Sequence, residues 1–333
     1  MTRITMAHGS GGVLMHKLIK EIVLKELDNP IADKLNDSAL LKMSGKYLAF
    51  TTDSYVVKPL FFPGSDIGKL AVYGTVNDLS VCGAKPAFIS CGIIIEEGLY
   101  IEVFKKVIHS LKQASDTAGV TIVTGDIKVV EKGKCDQLYI NTSGIGVIEK
   151  GIALSKDKIR AGDKIISSGS IGDHGVSVLA SREGMNLGGS LRSDAAPLNK
   201  LISGVLKIGG VRFMRDPTRG GVASTLNELA EGRNFGILID ESSIYVKPAV
   251  SAAVELLGLD PLYIANEGKV IVIASKESAA KVLRAIQKDA LGAKARIIGE
   301  VTKEYKGKVV LKTKVGGKRI VDMPMGENLP RIC

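Results

Sequence analysis

Apolar residues recur along this chain either every third or fourth position or every second, and the alternation of these two spacings predicts helices and strands by turns. Leu14, Leu18 and Ile22, with Ile19, Val23 and Leu27, outline an amphipathic helix just after a run of glycines. Short strands are expected over 38–43 and 47–52. A helix over 67–82 follows, then an apolar strand over 87–95 and a second helix over 100–117 closed by Gly119. A strand over 120–124 and a glycine-containing strand over 138–148 complete this half. The composition turns polar at 150–162, which places a boundary there. Strands and helices resume at Lys164 and continue to about Val321, with no short-period repeat. Mixed elements in both halves predict an α/β (α+β) protein of two sandwich-like domains, 1–150 and 151–322, followed by an end segment 323–333.

Composition sharpens this picture in three places. Hydrophobic residues make up 45% and charged residues 24% of the 333, which is usual for a soluble globular protein. Glycine is in excess at 38 residues, about 11% against a usual 7%, and it clusters beside acidic and hydroxyl residues, as in loops that approach a ligand closely. The net charge of +10, with a pI near 9.3, is spread along the chain. No helix-turn-helix, finger or aromatic RNA-binding signature accompanies it, so acidic partners or phosphates are the more economical reading. Cys82, Cys91, Cys135 and Cys333 show neither a C-x-x-C pair nor zinc spacing. A polar start and the lack of a long apolar run point to a reducing cytoplasm.

Candidate chemistry gathers in four segments. His8-Gly9-Ser10-Gly11-Gly12 stands immediately before the first helix, where converging N–H groups and the helix start favour phosphate. Asp37, Asp53, Asp78 and Asp126 lie near expected strand or helix junctions; with a polyphosphate they would make a hard-oxygen site for Mg²⁺, and singly each could be a cap or turn. Arg215 and Arg219 lie within RDPTRGG at an expected helix start and suit an anion, with Asp216 or Thr218 available to cap that helix. Glu267, in DPLYIANEG, could act as a base or sit in a solvated loop. His8 and His174 are expected in exposed loops. The chain ends Pro330-Arg331-Ile332-Cys333. Pro324, Gly326 and Pro330 cannot sustain a helix, so the end is expected to be a flexible arm with a thiol at its tip, reaching at most about 35 Å.

Taken in order, HGSGG, FTTDS, PLFFPGSDIGKLAVYGTVNDLSVCGAKP, TGDIKVV, GDHG, SDAAPL, RDPTRGG, DPLYIANEG and the terminal PRIC cover nearly the whole chain. They resemble the hydrogenase maturation family HypE, of the aminoimidazole-ribonucleotide-synthetase-like superfamily. Ile127 stands where that family usually has threonine.

The resemblance implies two α/β domains, with the N-terminal one binding ATP and pairing strands in a homodimer, and a C-terminal α/β sandwich. It implies an ATP-dependent dehydratase that converts a carbamoyl group on the terminal cysteine to a thiocyanate, the source of cyanide for [NiFe]-hydrogenase iron. The carbamoyltransferase HypF would load the cysteine, and the HypC–HypD iron scaffold would receive the product. Cys333 would carry the group, with Glu267 or Lys128 as the base. Nucleotide contacts would come from Gly9, Ser10, Gly11, Gly12, Asp37, Asn77, Thr124, Gly125, Arg215 and Arg219, and Mg²⁺ would sit on Asp53, Asp78 and Asp126. Three alternatives stay open: another ATP-using enzyme of the superfamily, such as a selenophosphate synthetase; a non-catalytic scaffold; and a basic nucleic-acid-binding protein.

Overall fold

Helices α1 (Val13–Leu18) and α2 (Leu24–Leu27) begin the chain, fused through a π-helical turn at Ile19–Val23. The structure, a computed structural model, describes residues 3–185 and 191–324, so Cys333 and all but the first two residues of the expected arm over 323–333 lie outside the described residues. The expected amphipathic run is thus helical but carries a wide turn within it. Its apolar residues are not core: Ile22 is 56% and Leu27 64% exposed. The helices dock on the second half instead, where His16 meets Glu228 at 2.9 Å and Lys20 meets Glu231 at 3.2 Å.

The first half then builds one five-stranded sheet. Its elements are β1 (Ala39–Met43), β2 (Lys46–Tyr55), the short hairpin β3 (Phe61–Phe62) and β4 (Ser65–Asp66), α3 (Ile67–Val81), β5 (Ala84–Glu96), α4 (Ile101–Ala118), β6 (Thr121–Val130) and β7 (Leu138–Ile148). The sheet order is β1-β2-β7-β5-β6, antiparallel except for β5 with β6. Apolar almost all round, α3 is buried over nearly its whole length between the sheet and α4. Asp66 caps it by accepting from the Lys69 N–H at 3.0 Å, and the Ser110 hydroxyl of α4 donates to the same oxygen. Both helices lie on one face. Among the described residues nothing covers the opposite face, and Phe50, Phe88 and Ile94 are exposed on it. The β6 strand extends past the predicted end at 124 because its further residues keep pairing with β5 as far as Val130.

A second sheet organises the other half. After β8 (Lys164–Ser167) come α5 (Asp173–Arg182), α6 (Asn199–Leu206), β9 (Val211–Arg215), α7 (Gly221–Ala230), β10 (Gly236–Asp240), α8 (Pro248–Leu257), β11 (Ile271–Ala274), α9 (Ala279–Gln287), β12 (Arg296–Thr302), β13 (Val309–Lys312) and β14 (Lys318–Ile320). Seven strands run in the order β14-β13-β10-β12-β8-β11-β9. Side chains alternate across it. Ile165, Phe213, Ile271 and Ile273 join one core with α7, whereas Ile166, Met214, Val272 and Ala274 join another with α6 and α9. Both faces are therefore covered, which explains why β11 is buried throughout.

Asn77 of α3 fastens the two halves together. Its amide donates to the Ala196 carbonyl at 3.1 Å and the Glu267 carbonyl at 3.2 Å, and its oxygen accepts from the Leu198 N–H at 2.8 Å. The bonds to Glu267 and Leu198 are buried and the one to Ala196 is partly so, and Asn77→Ala would strand two carbonyls and an N–H. The expected loss is about 2–4 kcal/mol of unfolding free energy, read from the denaturant midpoint. A loss under about 0.5 kcal/mol would show that the seam does not depend on this side chain.

Candidate active site at the seam of the two halves

The glycine loop at 9–12 precedes α1 and lies against the start of α7. Arg219 reaches toward the Gly9 carbonyl at 3.5 Å, and the Ser224 hydroxyl donates to the Gly11 carbonyl at 3.1 Å. Gly11 has φ +78°, and a Cβ there would fall 2.9 Å from the Arg219 backbone. Only glycine fits both demands. One residue on, a Cβ on Gly12 would be 2.2 Å from the Pro324 carbonyl oxygen, which accepts the Val13 N–H at 3.0 Å. The last described residue therefore lies on the loop itself.

Carboxylates from both halves converge beside this loop. Asp53 shares a face of β2 with Thr51 and Tyr55, the face that packs on α3. The Thr51 hydroxyl oxygen lies 2.9 Å from an Asp78 carboxylate oxygen and 2.8 Å from the Asp37 carbonyl, while the Ser38 hydroxyl donates to the Asp78 carbonyl. From β9, Arg215 reaches Asp37 at 3.0 Å with one nitrogen and Glu228 with another; Glu228 also meets His16. Arg219 stands 3.5 Å from Asp53. Glu267 closes the group from the loop before β11. Its N–H donates to Asp194 at 3.2 Å, and its carbonyl is the one Asn77 binds. Asp194 in turn pairs with Lys269 at 3.2 Å.

Burial and crowding set the electrostatics. Burial, then repulsion from Asp216, Asp37 and Asp53, pushes the Asp78 carboxyl well up. Burial with repulsion from Asp216, Asp53 and Asp194 does the same to Glu267, against a smaller pull from Arg219. Asp216 is raised to about 8 by burial and Asp37. Glu228 would also rise through burial, but Arg215 and His16 hold it below the ordinary range. Burial lifts the Cys82 thiol to about 12 and Cys91 to about 11. This cluster is short of positive charge. Such a place suits a cation with a polyphosphate, and it keeps a carboxylic acid poised for proton transfer.

Of the residues expected at the site, Gly9–Gly12, Asp37, Asp53, Asp78, Arg215, Arg219 and Glu267 meet at the seam. Asp78 is no cap; it lies inside α3. Asn77 was expected on nucleotide, yet its amide is spent holding the halves together. The segment Thr124, Gly125, Asp126 and Lys128 lies elsewhere, in mid-strand on the β6 edge, where Lys128 pairs with Asp126 at 2.7 Å. Asp126 pairs with Gly92, Gly92 with Asn141 and Asn141 with Ser54. Three strand spacings, roughly 14 Å, thus separate it from the Asp53 neighbourhood, and it faces the bare side of the sheet. Among the described residues, no three of His, Cys, Asp and Glu stand close enough to hold a metal by themselves. His174 is not in an exposed loop: it is buried in the first turn of α5, 2.9 Å from the Ser193 hydroxyl and edge-on to Phe62.

Asp216 is the residue whose role the sequence hid. It was a candidate cap, but α7 begins at Gly221 with Gly220 before it and no side-chain cap. Glu228 and His16 were also missed. A glutamate beside Leu226, Leu229 and Ala230 on a buried helix face was the available signal.

Residues 35–148 match the family of N-terminal domains of AIR synthase related proteins, and residues 160–312 match the corresponding C-terminal domains. The carbamoyl dehydratase HypE of Rhizobium leguminosarum bv. viciae is 48% identical over 333 residues, 99% of this chain and 95% of that protein. The carbamoyl dehydratase HypE of Escherichia coli is 46% identical over 338 residues, with 100% of each covered. Among solved structures, a HypE–HypF complex is similar at TM-score 0.88 and 46% identity, covering 92% of this chain and 99% of that one. HypE in complex with ATP is similar at TM-score 0.83 and 46% identity, covering 98% of each. Thiamine monophosphate kinase of Aquifex aeolicus, at 17% identity and TM-score 0.67, shares the fold.

The crowded carboxylates give a pH signature. Asp216 titrates higher folded than unfolded, so between its ordinary value of 3.8 and about 8 the folded state binds the extra proton. Its contribution is therefore full at acid pH and is lost as pH rises through that window. Thermal denaturation of the ligand-free protein should show stability falling from pH 5 to pH 8, and Asp216→Asn should flatten the fall. An Asp216→Asn variant with the wild-type slope would place the pH dependence elsewhere.

Proposed function

This chain belongs to the HypE family of AIR synthase related proteins, and from that premise we propose that it is an ATP-dependent dehydratase acting on a carbamoyl group carried by its own Cys333. One observation carries this reading beyond family membership. The described chain ends at Pro324 on the glycine loop, and only nine residues follow, a reach of at most about 30 Å. The thiol and the loop that suits phosphate are thus within one arm's length.

Dehydration asks three things of the protein. The thiocarbamate oxygen must attack the γ-phosphorus of ATP, breaking its bond to the bridging oxygen and releasing ADP, while nitrogen loses one proton. Loss of the second N–H proton then breaks the C–O bond, releasing phosphate and leaving the S–C≡N group. The glycine loop, with Arg215 and Arg219, would orient the phosphates and offset their charge. Glu267 is the base we favour: its burial keeps water away, and a cation that offset the charges of Asp216 and Asp53 would let its carboxyl ionise and take the proton of a weak N–H acid. Asp53 and Asp78 offer hard oxygens for Mg²⁺, whose charge, when bound, would neutralise phosphate and relieve the carboxylate crowding. Domain roles follow the seam: 1–150 for nucleotide and dimerisation, 151–322 for the carboxylate base and arginines, 323–333 as the arm.

Thr124, Gly125, Asp126 and Lys128 fit this scheme through a second copy. Among the described residues the β6 edge pairs on one side only, and no helix covers the sheet's outer face. Pairing through these surfaces into a homodimer would bring Asp126 and Lys128 of one subunit toward the other's site. Mixed dimers of Asp78→Asn and Asp126→Asn subunits should then recover part of the activity that each variant lacks. No recovery on mixing would show that Asp126 does not serve across subunits.

HypF is the proposed carbamoyl donor, and a HypC–HypD iron scaffold the proposed acceptor. No helix among the described residues is long and apolar enough to cross a membrane. Mass spectrometry of the C-terminal peptide tests the whole scheme. After carbamoylation, addition of Mg²⁺–ATP should remove one water from the Cys333 adduct. Cys333→Ala should form no adduct there, and Glu267→Gln should bind ATP yet leave the adduct intact. Unchanged thiocyanate yield in Glu267→Gln would move the base to Lys128.

A further inference from the structure

The peptide bonds on either side of Glu267 are gripped by different side chains. The one after it is held through the Glu267 carbonyl by Asn77 at 3.2 Å. The one before it is held through the Glu267 N–H, which donates to Asp194 at 3.2 Å. Among the described residues no other acceptor serves that N–H. Neighbouring bonds do not replace it. The Asn266 N–H goes to the Pro217 carbonyl and the Gly175 N–H to the Ala265 carbonyl, so both fix the peptide one step earlier. Asp194 does not depend on Glu267 for its own place. The Ser193 N–H donates to the Pro63 carbonyl at 2.8 Å. The Ser193 hydroxyl oxygen accepts from the Ala195 N–H at 3.2 Å and lies 2.9 Å from His174. The two segments also touch backbone to backbone: a Cβ on Gly268 would fall 1.8 Å from the Asp194 carbonyl oxygen.

The second carboxylate oxygen of Asp194 lies 3.2 Å from Lys269, and the two side chains are only 2% and 9% exposed. Burial alone would lift the Asp194 carboxyl, but Lys269, His174 and the Glu267 N–H hold it below the ordinary range. A buried ion pair of this kind is seldom worth more to stability than apolar side chains of similar size, because desolvation consumes the attraction. What it supplies is a fixed, ionised acceptor, and a hydrogen bond to such an acceptor is roughly twice as strong as a neutral one. Glu267 has use for that hold. Once ionised it is repelled by Asp216, Asp53 and Asp194, so its direction must come from the backbone that carries it. We propose that Asp194, paired with Lys269, is a positioning residue for the dehydration: it fixes the peptide that carries Glu267 and so aims the base at the substrate nitrogen. The proposal rests on the reading of Glu267 as the base. Misplacing a reacting group by about 1 Å costs on the order of 100-fold in rate, and none of these contacts involves the glycine loop that suits phosphate.

Two double variants separate the acceptor from the fold. Asp194→Asn/Lys269→Gln keeps a side-chain oxygen for the Glu267 N–H without the charges. Asp194→Leu/Lys269→Met fills the space with no acceptor, and should still fold because a buried ion pair is replaceable by apolar side chains. Cyanate, which carbamoylates thiols directly, loads Cys333 without a partner protein. Single turnovers with saturating Mg²⁺–ATP are read as loss of water from the C-terminal peptide. The apolar pair should be slower than wild type by about 10-fold or more, and the amide pair close to wild type. ATP affinity should be unchanged in both. Hydrogen exchange at the Glu267 amide should quicken by about 10-fold or more in the apolar pair only. A wild-type rate in the apolar pair would overturn the proposal, as would equal slowing of both pairs or ATP affinity falling in step with rate. Failure of the apolar pair alone to fold would make the acceptor structural and overturn it as well. Water loss at the wild-type rate in Glu267→Gln would instead fail the base reading. Amide exchange then decides the grip alone, and an unchanged rate in the apolar pair refutes it.

Discussion

Arg215 lies between Asp37 of the first half and Glu228 of the second, and its guanidinium is what lets carboxylates from both sides share one buried place. Without that cation, Asp37 and Glu228 would face each other across a low-dielectric seam. Placing like charges there costs several kcal/mol per uncompensated ion. His16 extends the same chain of contacts into the first helix. The glycine loop, one turn earlier, is therefore held in register with Asp78 through side chains rather than through a sheet. The residual imbalance is left on Asp78, Asp216 and Glu267, whose carboxyls are driven toward their neutral forms. A site with unmet demand for positive charge is what a cation-escorted polyphosphate can satisfy.

Much of this was legible in the sequence, for identifiable reasons. The strand Leu138–Ile148 and the helix ending at Gly119 announced themselves by period and by a left-handed stop. Glycines before a helix marked the loop because close approach of backbones leaves few other choices. The opening helix misled: its apolar pattern predicts a core face, yet Ile22 and Leu27 remain exposed. Polar contacts of His16 and Lys20 dock it instead, and polar contacts leave no periodic trace. Asp216 was invisible as a cluster member because convergence depends on the meeting of two sheets, which spacing along one chain does not encode. Asn77 and Asp78, adjacent in sequence, look alike as site residues. A helix turn sends one into the seam as a strut and the other toward Thr51.

The same topology explains why the expected metal set divides. Asp53 and Asp126 both occupy long strands of one sheet, and a strand-by-strand count separates them although each looks like a junction aspartate. The first lies on the helix-covered face and the second on the bare face. Assigning them to one site requires either a second subunit or two roles.

Burial of the Cys82 and Cys91 thiols carries a consequence for chemical selectivity. At neutral pH a thiol lifted to about 12 is ionised in only about one molecule in 10⁵, and one at about 11 in about one in 10⁴, against a few per cent for an ordinary thiol near 8.5. Electrophiles sort themselves by thiolate, so these two positions are kinetically silent toward a reactive carbonyl donor. The fold thus quiets two of the other sulfurs, Cys82 and Cys91, and leaves the half-buried Cys135 outside this protection.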